Sequence, residues 1–214
     1  MLTLFPGFIS AYMRRELEFD RTYYDLCVAL DAKPLRGPRR ESRKRMLDPI
    51  ERALGGRVVI DNGRFYIDLP DGRMEAQLVA EGLRKLAMLA HLIVNGSLSE
   101  KAFLFWDEPE ANMNPQLSKL TSDIVFQLAH EGVQVFLSTH DYVLSSDLSL
   151  AIENQADWQP GTAFFALGRG NQGEGVAVER GQLLADLQGN PILDAFASLH
   201  EREREAFAGE GGGH

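Results

Sequence analysis

The chain has 214 residues, 44% apolar and 25% charged, which suits one domain, or one domain with a small appendage, around a sizeable core. Its formal net charge of −9 argues against a surface given over to nonspecific nucleic-acid binding. The single cysteine, Cys27, excludes an internal disulfide, and no apolar run approaches the ~18 residues that span a membrane. The first residues carry no basic segment ahead of an apolar core, so they do not read as a signal peptide, and a cytoplasmic protein is expected.

In chain order, Phe8, Tyr12, Leu17, Tyr24, Val28 and Leu30 recur among charges and predict a helix over 8–32. Residues 33–45 are basic and broken by Pro34, Gly37 and Pro38. They read as a solvated connector, with a contact to phosphates or nucleic acid as the sharper alternative. A short helix at 46–54 stops at Gly55-Gly56. Runs at 57–61 and 64–69 flank Asn62-Gly63, the strongest short hairpin signal. A helical pattern from Glu75 to about Asn95 carries Leu78, Leu83, Leu86, Ala87, Ala90 and Ile93, and Asn95-Gly96 stops it.

Residues 102–106 read as a buried parallel strand, 115–130 as a helix, 133–138 as a second strand and 163–167 as a last one. A glycine-rich turn at 168–175 and a short strand at 176–179 follow. Asn190 caps a final helix that starts at Pro191 and runs to about Phe207, and 209–214 are expected to be disordered. Strands alternating with helices over 100–167 imply an α/β fold with a parallel sheet.

Three features then stand out. The apolar strand ends on Asp107 and Glu108, followed by Pro109. The next strand ends on Ser138, Thr139 and His140. Residues 79–85, VAEGLRK, lie near a helix start, where Gly82 would let backbone N–H groups approach an anion. Taken singly, an acid pair is usually surface decoration, a lone histidine structural, and a glycine in a helical pattern a boundary. Together they put acids and a histidine on neighbouring strand ends, where open α/β sheets bind ligands. Asp107 would hold a hydrated magnesium ion and Glu108 would polarise a water, the parts that phosphoryl transfer needs.

Residues 104–115, LFWDEPEANMNP, and 134–141, QVFLSTHD, resemble the ATP-binding-cassette-like branch of P-loop ATPases. More closely, the chain resembles bacterial AAA-family proteins with an ABC-type ATPase core. These are relatives of the structural-maintenance-of-chromosomes, recombination-repair and overcoming-lysogenization-defect ATPases. The resemblance covers about 60–145. It implies a P-loop NTPase-like parallel sheet flanked by helices, with 1–56 as a helical arm and basic connector. Residues 57–208 would be the C-terminal part of the core, hairpin included, and 209–214 a tail.

By the same resemblance Asp107 is similar to the Walker B aspartate, which fixes magnesium through water. Glu108 looks like the water-positioning base, and His140 matches the switch histidine that senses the γ-phosphate. Asn114 stands where many relatives carry a D-loop aspartate that acts across a dimer. Residues 79–85 occupy the signature-motif position, whose nucleotide-facing set here would be Ala80, Glu81, Gly82 and Arg84. Gly82 matches a signature glycine, whereas Ala80 replaces the usual serine and Glu81 a glycine. ATP and Mg2+ are the implied cofactors, sandwiched between two subunits.

A phosphate loop would read G-x-x-x-x-G-K-[ST]. The five lysines, Lys33, Lys44, Lys85, Lys101 and Lys119, all lack a preceding glycine. The chain therefore resembles the C-terminal part of such an ATPase, with a sheet incomplete at its N-terminal side and no activity expected of it alone. The loop-bearing strand would lie between 133–138 and 163–167, so an N-terminal partner, a swapped element or a local rearrangement is expected to fill that gap, the implied partner being a second copy, an N-terminal ATPase segment or a full-length relative. The alternative is a non-hydrolytic regulatory protein that docks on a full-length ATPase. A nucleic-acid-binding role through 36–45 is a third reading, which the acidic remainder of the chain does not support.

Overall fold

A computed structural model of the chain describes residues 5–15, 18–37, 41–154, 161–169 and 175–210. It divides into two compact units, Met1–Ser138 and Thr139–His214.

The first unit opens with α1 (Phe5–Met13) and α2 (Arg21–Asp31), where the apolar spacing predicted one helix. Asp20 makes the difference. Its carboxylate accepts from the Thr22 N–H at 2.8 Å and so starts a new helix instead of continuing the old one. Leu17, part of that spacing, lies outside the described residues. α2 buries Cys27 and Leu30 completely and leaves Val28 exposed. Burial pushes the Cys27 thiol above its usual pKa.

α3 (Glu41–Leu54) begins five residues before the expected 46. Met46, Leu47, Ile50 and Leu54 form its buried stripe, and the charged 41–45 make its first turn, with Glu41 and Lys44 paired at 3.4 Å. Part of the basic connector is thus the solvated start of a helix; residues 38–40 lie outside the described ones.

β1 (Arg57–Asp61) and β2 (Arg64–Leu69) pair antiparallel as predicted, with Asp61 opposite Arg64. Asn62 and Gly63 both have positive φ, 49° and 72°, as a type I′ turn requires. A third strand, β3 (Gly72–Glu75), pairs with β2. Its four residues show no apolar alternation, which hid it. A 3-10 turn at Ala76–Leu78 follows, so α4 (Glu81–Val94) starts six residues later than the pattern indicated, and Leu78 is exposed rather than part of its face.

α4 is the centre of the core. Its Leu86, Ala87, Leu89, Ala90 and Ile93 are buried with Leu30, Leu47, Ile50, Phe65, Ile124 and Leu128. Each large side chain so enclosed contributes ~1.5–3 kcal/mol before entropy is charged against it. His91, also buried, places Nε2 2.9 Å from the Leu30 carbonyl and meets the Phe65 ring edge-on at 5.2 Å. Asn95 donates to the carbonyls of Ala29 at 2.8 Å and Ala32 at 3.2 Å, tying the end of α4 to the end of α2. Burial holds the His91 imidazole below the usual histidine pKa.

β4 (Phe103–Asp107), α5 (Pro115–His130) and β5 (Gln134–Ser138) form the β-α-β unit, its two strands parallel. Leu104, Trp106 and Val135 pack on the core. The other face corrects the expectation of fully buried strands: Phe103, Phe105 and Phe136 are 63%, 74% and 44% exposed. Phe105 stacks on Phe136 with centroids 4.7 Å apart. Among the described residues β5 is hydrogen-bonded to β4 alone.

In the second unit α6 (Tyr142–Glu153) was not foreseen, because its serines masked the apolar spacing. β6 (Phe164–Arg169) pairs antiparallel with β7 (Val176–Gly181), a pairing the sequence did not announce. The glycine-rich stretch between them makes a local return cheaper than a long crossover, although 170–174 of that turn lie outside the described residues. α7 (Pro191–Glu210) packs Phe196 on Tyr142 at 4.3 Å, and Asn190 accepts from the Ile192 N–H at 3.0 Å. It outlasts the predicted end at Phe207, and of the expected disordered tail 211–214 lie outside the described residues. No helix among the described residues is long and apolar enough to cross a membrane.

Candidate functional site

The parallel register sets the site. Asp107, the last residue of β4, stands opposite Ser138, the last of β5, and the Ser138 hydroxyl donates to the Asp107 carboxylate. Both side chains are exposed at the carboxyl rim of the strands. The ladder continues one step, because the Glu108 N–H donates to the Ser138 carbonyl at 2.9 Å.

The chain then turns sharply. Glu108 has φ 43°, in the left-handed region that costs a non-glycine residue ~1–3 kcal/mol. The surrounding bonds hold it there. Its carbonyl accepts from the Ala111 N–H at 3.1 Å, and Met113 donates to the Glu110 carbonyl at 2.8 Å. Lys85 reaches over from α4 and donates to the carbonyls of Glu108 at 2.8 Å and Ala111 at 3.1 Å. Pro109 and Glu110 are buried beneath the turn, while the Glu108 side chain is exposed.

Gly82 sits one helical turn before Lys85 and is buried. A Cβ there would lie 2.6 Å from the Asn112 carbonyl oxygen and 3.0 Å from Met113 Cγ. Glycine is thus required for close packing on the turn that follows the acids, a reason independent of any phosphate. Ala80 is the N-cap of α4 and offers no side-chain hydrogen bond. Glu81 is exposed in the first turn, where a carboxylate favours the helix dipole by ~0.3–1 kcal/mol. Arg84 is half-buried, its N–H bonded to the Ala80 carbonyl at 2.9 Å. Asn114 caps α5 and accepts from the Leu117 N–H at 2.9 Å. That is the ordinary work of an asparagine before a helix that opens with proline.

His140 belongs to the second unit, two residues beyond Ser138 in the chain, and is exposed. Its neighbours are fixed: Thr139 Oγ1 accepts from the Asp141 N–H at 2.9 Å, and Asp141 caps α6 by accepting from the Leu144 N–H at 2.7 Å. The first unit thus brings Asp107, Glu108, Ser138, Gly82 and Lys85 together around one rim. Sequence reading missed Ser138 as the partner of Asp107 and Lys85 as the anchor of Glu108. Equal distance from the two strand ends was the available signal for Ser138; nothing local marked Lys85.

Magnesium suits this rim. The Asp107 carboxylate and Ser138 hydroxyl are hard oxygen donors side by side, and Mg2+ takes one or two carboxylates while keeping waters and binding phosphates. Among the described residues no group of three His, Cys, Asp or Glu side chains forms a protein cage for a metal.

The sequence matches the family described as "AAA domain, putative AbiEii toxin, Type IV TA system" over residues 9–147, more than half of the chain. The chain belongs to this AAA-domain family. The match spans both strands of the parallel pair, the turn after Asp107 and all of α4. The AAA-domain chain thereby carries the α/β fold of P-loop ATPases. No curated protein matches it in sequence.

Solved structures similar to it include SMC ATPases and SMC head domains. One, from work on the ATP-driven dimerization and DNA-stimulated activation of SMC ATPases, is 17% identical with a TM-score of 0.47, over 76% of this chain and 92% of that one. A SmcHead bound to the C-winged helix domain of ScpA is 16% identical with a TM-score of 0.49, over 68% of this chain. An Smc head domain derived from Pyrococcus furiosus, with an extended coiled coil and bound to the C-terminal domain of ScpA, is 14% identical with a TM-score of 0.47, over 76% of this chain. The chain spans 44% and 38% of the length of the latter two.

Proposed function

We propose that this chain is the C-terminal part of an ABC-type AAA ATPase and contributes the magnesium and water side of an ATP site. The observation that carries the proposal is the rim itself: Asp107 opposite Ser138, with the next carboxylate, Glu108, locked in a left-handed turn. Asp107 would hold Mg2+, and the Ser138 hydroxyl, which donates to it, orients its carboxylate. Glu108, exposed at the rim, would accept a hydrogen bond from the attacking water and orient it. By the family resemblance His140 would sense the γ-phosphate, and Asn114 and the start of α4 with Ala80, Glu81 and Arg84 would face a second nucleotide across a dimer, while Gly82 seats that helix start on the turn. Bound magnesium supplies charge neutralisation on the phosphates.

The phosphate loop comes from another segment or polypeptide, since no lysine here follows a glycine. The open face of Phe103, Phe105 and Phe136, and an edge of β5 with no strand partner among the described residues, support this, because parallel sheets are ordinarily covered on both faces.

ATP turnover tests the reading, measured on this chain alone and mixed with a family member that carries G-x-x-x-x-G-K-[ST]. Turnover is expected only in the mixture, and Glu108→Gln in this chain should reduce it by about a hundredfold or more. Absence of turnover in every pairing would favour the second reading, a non-hydrolytic protein that docks on a full-length ATPase. The helix start favours that reading: Ala80 gives no side-chain donor, and Glu81 places a negative charge where a phosphate would approach.

A further inference from the structure

We infer that Lys85 is a positioning residue that fixes the Glu108 peptide, and through it the direction of the Glu108 carboxylate, from the signature-position helix. The inference rests on the reading of Glu108 as the water-orienting carboxylate, and names what regulates that group.

Several bonds restrain the Glu108 peptide. Its N–H donates to Ser138 on β5, its carbonyl accepts from Ala111 within the turn, and the same carbonyl accepts from Lys85. Lys85 is the member of this set that stands on α4. It also bonds the Ala111 carbonyl, so one half-buried ammonium closes the turn from 108 to 111 at both ends. A charged donor on a carbonyl forms a stronger bond than a neutral one.

The contact is doubled one turn away. Gly82, three residues before Lys85 and therefore on the same face of α4, lies against the main chain of Asn112. The first turn of the helix is thus seated on the whole stretch 108–112. Glu108 holds a left-handed φ that its own side chain disfavours, so its position depends on those external bonds. A shift of the N-terminal end of α4, where Ala80 and Glu81 are exposed, draws Lys85 with it and lets the Glu108 peptide relax towards ordinary φ. An α4 seated as described keeps Glu108 aimed; a displaced one does not. Occupation of the helix start by a partner or its nucleotide is thereby read at the hydrolytic carboxylate.

Two variants separate this from simple packing. Lys85→Met keeps the apolar stem and removes the donors, and Lys85→Arg keeps donors and charge. Amide hydrogen exchange on the chain is expected to quicken at Ala111 and Met113 by about tenfold or more in Lys85→Met and to stay within about twofold of the parent in Lys85→Arg. In the ATP-hydrolysing mixture Lys85→Met should lower kcat by about tenfold with KM for ATP within about twofold, and Lys85→Arg should restore it. Lys85→Gln, which shortens the reach, serves if Lys85→Met does not fold.

Unchanged exchange in Lys85→Met would overturn the proposal. So would equal loosening in Lys85→Arg, which would assign the effect to the stem, or loosening with kcat intact. If the unsubstituted mixture never turns over ATP, the ATPase reading fails, and exchange alone decides whether Lys85 holds the Glu108 peptide.

Discussion

Glu108 is the residue on which the site turns, because its backbone is strained while its carboxylate is exposed. Gly82 makes the turn beneath it possible. Gly82→Ala forces a methyl group onto the Asn112 carbonyl, and we expect a loss of ~1–3 kcal/mol in urea denaturation, as for other overpacked sites. Asn114→Ala should cost ~1 kcal/mol through the lost α5 cap, whereas Asn114→Asp should retain it. If Asn114→Asp also retains turnover in the mixture, a carboxylate serves at this position.

Asp107 and Glu108 were legible in the sequence because an apolar run that ends abruptly on acids marks a strand rim. Lys85 was not, because its bonds join residues far apart in the chain and depend on how α4 lies over the turn. Gly82 was legible as special but for a different reason: a glycine near a helix start suggested an anion, and the structure shows its own chain pressed against it.

At the scale of elements, local chemistry was read well and tertiary pairing poorly. Asn62-Gly63 announced its hairpin, and Asn114-Pro115 announced α5 at its observed start. The split between α1 and α2 hung on one capping bond from Asp20, and the antiparallel pairing of β6 with β7 had no turn signal as sharp as Asn62-Gly63. The exposed side of β4 and β5 is the element whose chemistry is unfinished. Phe105→Thr removes an exposed ring and its stack on Phe136, so the chain's own stability should change by less than ~1 kcal/mol. Its affinity for a loop-bearing partner, measured by calorimetry, should fall about tenfold or more if that face is covered in the assembly.

His91 joins α4 to α2 and gives this packing a pH dependence. Its pKa lies below the ordinary 6.5, so the unfolded chain binds the proton more readily than the folded one. Stability from this group is therefore complete above pH 6.5 and is lost as the pH falls from there through the lowered folded value. Melting temperature should drop on acidification from pH 7.5 to 5.5, by more than in His91→Gln, whose amide keeps a donor for Leu30 and does not titrate.

For the whole molecule the account is one of a divided site. Membership of the AAA-domain family and the α/β fold agree with the sequence reading, and neither supplies the phosphate grip that an ATP site requires. A helix N-terminus contributes at most ~2 kcal/mol towards an anion, far from the ~8 kcal/mol of micromolar binding. The most direct measurement is calorimetric titration of a non-hydrolysable ATP analogue, with Mg2+, into this chain alone and into its mixture with a loop-bearing family member. The account predicts binding weaker than ~1 mM for the chain alone and micromolar or tighter binding in the mixture. Micromolar binding by the chain alone, lost in Asp107→Asn, would contradict it.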